Sequence, residues 1–92
     1  MQQSENVQRA GELIEKALSL GGKKIDPHTI STEDLSDHMG NLKDAVSYLK
    51  EAHELLRGYA DAQKTVQDMI QQWEILIGSG NDILKTRRSH GL

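Results

Sequence analysis

Residues 31–59, STEDLSDHMGNLKDAVSYLKEAHELLRGY, decide how this chain folds. Within them Leu35, Met39, Leu42, Val46, Leu49, His53 and Leu56 follow one another at steps of 4, 3, 4, 3, 4 and 3. That heptad spacing keeps one side of a helix continuously apolar. The stretch opens on the hydroxyls of Ser31 and Thr32 and then on Glu33 and Asp34. Such an order supplies a cap and sets two carboxylates against the positive end of the helix dipole. It predicts a helix over 32–57 that packs against neighbours along its whole length.

Beyond Leu56 the phase changes. The next apolar set is Tyr59, Ala62, Val66, Met69, Trp73 and Leu76, with Ile70 and Ile77 alongside, and the step from Leu56 to Tyr59 adds a second consecutive three. Two threes in a row break a strict seam. Gly58 stands at the junction and Asp61 follows as a new N-cap, so the preferred reading is a tight turn at 57–60 and a third helix over 61–77 or beyond. The alternative is one unbroken rod, since an interior glycine costs only ~1 kcal/mol. A rod would demand a dimer or larger coiled-coil assembly.

On the N-terminal side, Val7, Ala10, Leu13, Ile14, Ala17 and Leu18 recur at helical spacing and predict a first helix over 6–20. Ser4 is its expected cap, Glu5/Arg9 and Glu12/Lys16 its i,i+4 pairs, and Gly21-Gly22 its stop. Residues 21–32 contain Pro27 and lose the period, which makes them a loop, with Lys23 and Lys24 near the helix end and Ile25 and Ile30 as anchors. Gly78-Ser79-Gly80-Asn81 is a last break, yet Ile83, Leu84 and Arg87 keep helical phase with Trp73, Leu76 and Ile77, so the final helix is kinked there or ends there, and 79–92 forms a kinked or frayed basic segment.

Composition agrees with helices. The 92 residues include no phenylalanine and only 3 % aromatics, so a β-sheet face has little to fill it, and the length holds one domain. The fold expected is all-α: a small antiparallel three-helix bundle, a helical hairpin plus an N-terminal helix.

Charge and residue types then narrow the chemistry. Eleven basic and 14 acidic residues give −3, no general attraction to nucleic acid or to an anionic bilayer. The absence of cysteine removes disulfides, thiolate nucleophiles and sulfur-ligated zinc. The N-terminal residues have no signal-peptide pattern and no apolar run reaches the ~20 residues that span a bilayer, so a cytoplasmic protein is the expectation.

His28, His38, His53 and His90 do not lie at i,i+3 or i,i+4 from one another, so no metal site is legible. Gly21-Gly22-Lys23-Lys24 lacks the spacing of a phosphate-binding loop. Glu12 with Glu15, and Glu51 with Glu54, read as solvated surface pairs, and the predicted seams turn no convergent acid–base set inward. His53 is the one polar seam residue, a candidate for protonation-sensitive packing. No catalytic residue, cofactor or small-molecule substrate is therefore expected.

Apolar surface remains. Met69, Ile70, Trp73, Leu76 and Ile77 make a wide stripe, continued by Ile83 and Leu84. The chain is thus expected to be a non-catalytic protein–protein interaction or assembly module, such as an adaptor or complex subunit. Its partner is a protein or a second copy. Met69, Trp73, Leu76 and Ile77 are the candidate contacts, and Lys85, Arg87 and Arg88 their polar rim. The alternative is a small chaperone or regulator that masks a partner protein.

Overall fold

The computed structural model describes residues 2–22, 24–26 and 28–89. Three helices follow in chain order, α1 Gln2–Gly21, α2 Thr32–Leu55 and α3 Ala60–Ser89, with no strand among the described residues. α1 packs on α2, and α2 on α3. Arg9 near the start of α1 meets Glu51 near the end of α2, and Arg87 near the end of α3 meets Thr32 at the start of α2, so both pairs run antiparallel.

The turn between α2 and α3 excludes the continuous rod. α2 stops at Leu55, Gly58 takes φ 91°, and α3 starts at Ala60. Among the described residues Gly58 alone has positive φ, a backbone region that glycine enters without steric cost. The Gln63 amide on α3 donates to the His53 carbonyl at 2.9 Å, satisfying one of the carbonyls that every helix C-terminus leaves open. At the other end of α2 the Ser31 hydroxyl accepts from the Asp34 N–H at 3.0 Å, the cap that the sequence predicts.

α2 carries two buried columns. Leu35, Met39, Leu42, Val46, Leu49 and Leu56 are all buried, and Leu35, Leu42 and Leu49 are the largest fully enclosed side chains. His53, the polar member of the seam, is half-buried where the helix ends. The second column is Ala45 and Ala52, which join Ala10 and Ala17 of α1 in one cluster, each at most 1 % exposed. Alanines seven apart on both helices leave little side-chain bulk between the axes, which lets the backbones approach closely. Lys16 of α1 lies 5.3 Å from the Tyr48 ring centre. Arg9 and Lys16 thus reach across to α2 in place of the expected pairs within α1.

Several boundaries differ from the sequence expectation. α1 starts at Gln2, so Ser4 lies in its first turn and is not its cap. α3 starts at Ala60, so Asp61 sits in the first turn, where its charge still favours the dipole. The largest change is at residues 78–81. The helix neither ends nor restarts there but continues to Ser89. Gly80 is buried with Met39 directly against it, so this glycine serves helix contact and not chain reversal. The buried column of α3 is accordingly Val66, Ile70, Gly80 and Leu84, with Trp73 and Ile77 partly buried between them; Tyr59 and Leu76 fall to its flank, 38 % and 52 % exposed. Ile25 and Ile30 pack down from the loop as expected, while Lys23, Pro27 and residues 90–92 lie outside the described residues.

Because α1 has 20 residues and α3 has 30, the bundle is three helices thick at one end only. The core divides to match. One cluster joins α1 to the C-terminal half of α2 and the N-terminal half of α3. The other holds Leu35, Met39, Leu42 and Leu84, with Ile25 and Ile30 of the loop against them. Trp73 and Ile77 pack against both. The molecule measures 55 × 18 × 16 Å and exposes 6466 Å², about a fifth more than the roughly 5,400 Å² typical of a compact monomer of this mass.

The two neighbouring glycines of α3 separate the two roles. Gly78 has open space where a Cβ would stand, so Gly78→Ala is expected to raise stability by about 0.5–1 kcal/mol through helix propensity. Gly80→Leu must displace the Met39 side chain and overfill the contact between α2 and α3, and is expected to lower stability by about 1–3 kcal/mol. Urea unfolding followed by circular dichroism measures both.

Candidate interaction surface

Where α1 ends, its place beside the α2–α3 pair is left open. Gly21 and Gly22 form the near wall of the resulting hollow, Ile25 of the loop borders it, Met39, Leu42 and Trp73 line its apolar floor, and the half-exposed Leu76 stands at its lip. The volume is about 490 Å³. Lys24, His38 and Ser79 supply the polar groups at its edge. The closeness of the wall is enforced by Gly21: a Cβ there would stand 2.9 Å from Leu42 Cδ2 and 3.1 Å from Trp73 Cζ3.

A second depression lies on the other flank of the α2–α3 pair. Ser36, Gly40 and Lys43 of α2 face Asn81, Lys85 and Arg88 of α3 across it, with Met39 and Leu84 beneath. At 100° per residue these positions turn away from His38, Leu76 and Ser79, which border the hollow. Met39 touches both spaces.

The seven residues that the sequence singles out are thereby sorted. Trp73 and Leu76 come together in the hollow. Met69 and Ile77 are partly buried members of the core. Lys85 and Arg88 line the opposite groove, and Arg87 turns away from them to donate to the Thr32 hydroxyl at 3.3 Å. The expected basic rim is therefore not a rim around Trp73. Sequence reasoning did not single out Met39, Leu42, His38 and Gly80 as lining the hollow, nor Lys43 as the third cation of the groove. Their only signal was the heptad position of Met39 and Leu42, which marks core and site alike.

Among the described residues no three of His, Cys, Asp or Glu come together as metal ligands would, and no helix is long and apolar enough to cross a membrane. No family model, curated protein or solved structure matches this chain.

The floor of the hollow belongs to the core and its lip does not. Trp73→Ala is expected to cost about 3 kcal/mol, since the ring packs against both clusters. Leu76→Ser, at a half-exposed position, is expected to stay within about 0.5 kcal/mol of the parent. Chemical denaturation read by far-ultraviolet dichroism distinguishes the two.

Proposed function

We propose that this chain is a non-catalytic interaction module, an adaptor or complex subunit of the cytoplasm, which receives an amphipathic helix of another protein in the hollow beyond α1. The observation that carries this reading is the open third-helix position, where Met39, Leu42 and Trp73 border a space of about 490 Å³ instead of a packed helix. A helix laid there continues the line of α1 and covers Leu76, which is 52 % exposed. Helix-in-groove docking uses such a surface, with apolar anchors every third or fourth residue. The lining favours recognition over reaction, since among the described residues one imidazole, one ammonium and one hydroxyl stand at its edge and no acid–base pair converges on its floor.

A second copy of the chain is a poorer occupant. Each of its three helices already commits its apolar face to its own bundle, through Ala10 and Ala17 on α1, Leu35 to Leu56 on α2, and Val66 to Leu84 on α3. The partner helix must come from a chain that has such a face to offer.

Site-specific photo-crosslinking tests the reading. A benzophenone amino acid at position 76 points toward the hollow, whereas one at position 75 lies on the outward face of α3, where Ile75 is 69 % exposed. Position 76 is expected to give an adduct whose mapped peptide is an amphipathic helix of a different protein, and position 75 is not. Adducts only with the chain itself, or equal adducts from both positions, would overturn the proposal.

A further inference from the structure

The groove on the opposite flank offers a different chemistry from the hollow. Lys43, Lys85 and Arg88 line it, all three exposed, and its lining among the described residues includes no carboxylate. The salt bridges among the described residues join Arg9 to Glu51, Lys50 to Glu74 and Arg57 to Glu54, so none of them neutralises these three cations. Asp44 and Asp82, next in sequence to Lys43 and Asn81, are exposed and do not line the groove. A chain with net charge −3 thus keeps a local concentration of positive charge in one concave place.

We infer that this groove is a docking surface for an acidic helical segment of a partner protein. Its shape selects the occupant. Ser36 and Lys43 are seven residues apart on α2, as are Asn81 and Arg88 on α3, so the groove runs about 10 Å along the helices, and their antiparallel course sets Lys43 toward one end of it and Arg88 toward the other. Charges spread along two turns suit a row of carboxylates at i, i+3 and i+7 and do not converge on one small anion. Ser36 and Gly40 keep the α2 wall low, and a Cβ at Gly40 would meet nothing within 4 Å, so a helix backbone has room to settle between the two cationic sides. Nucleic acid is disfavoured because no aromatic side chain among the described residues lines the groove to stack a base. The inference rests on the chain being a protein-binding module but not on the hollow, and the two surfaces can be occupied together.

The test uses the isotope-labelled full chain at low ionic strength. The probe is an acetylated, amidated alanine–glutamine helix with glutamates at every third or fourth position, and its control carries glutamine at those positions. Amide shifts are expected at Ser36, Gly40 and Asn81 with the acidic peptide and not with the control. The variant Lys43→Gln/Lys85→Gln/Arg88→Gln, whose changes fall on exposed positions, is expected to bind about tenfold more weakly, as three exposed ion pairs imply. Its dichroism spectrum checks that it folds. Leu76→Ser is expected to bind the peptide like the parent, which separates this surface from the hollow. Equal shifts with both peptides, unchanged binding by the triple variant, or displacement of the peptide by single-stranded RNA at lower concentration would each overturn the inference.

Discussion

The structure depends on the burial of one helix from two sides. α2 packs against both α1 and α3, and it does so through two columns of different bulk. Leu35, Leu42 and Leu49 are its largest fully enclosed side chains, while Ala45 and Ala52 cluster with Ala10 and Ala17 and hold α1 close. Among the described residues no polar or charged group is buried, so nothing in the interior requires a compensating partner. The surface ion pairs add little by comparison: the side chains of Arg9 and Glu51, Lys50 and Glu74, and Arg57 and Glu54 are all at least 49 % exposed. Stability therefore rests on aliphatic packing in a thin column, which makes each enclosed leucine count for more than it would in a thicker core.

How much of this was legible follows from where each signal resides. The α2 seam, the Ser31 cap and the Gly58 turn were readable because each is local: a period, a hydroxyl before two acids, a glycine at a phase break. The course of α3 was not. Gly80 looks the same in a sequence whether it ends a helix or lets another side chain approach, and the difference lies with Met39, forty-one positions earlier. Reading a break there also hid the fate of the basic residues. Once the helix is continuous to Ser89, a rotation of 100° per residue sends Arg87 toward Thr32 and Lys85 with Arg88 toward Lys43. A single ambiguous glycine thus separated a rim around Trp73 from a groove on the other side.

The candidate surface was legible only in its residue types. Trp73 and Leu76 stood out as apolar and helical in phase, and both do border the hollow. What makes the hollow is a difference in helix length, and length depends on where α1 stops and α3 does not. Gly21 and Gly22 marked the first of these correctly; Gly78 and Gly80 marked the second misleadingly. Gly21, the last residue of α1, stands against Leu42, so the ten residues 32–41 of α2, about 15 Å at 1.5 Å per residue, pair with α3 without a third helix beside them. The loop supplies Ile25 and Ile30 as partial cover, enough to shield Leu35 and Leu42 but not Leu76.

That arithmetic bears on the two proposed surfaces. A helix pair without a third neighbour has two flanks, and here both flanks at the α1-free end are concave, one apolar and one basic. Met39 is the floor they share, an unbranched thioether that repacks at low cost when a neighbour changes. From this shared position Met39 is held against Gly80 of α3.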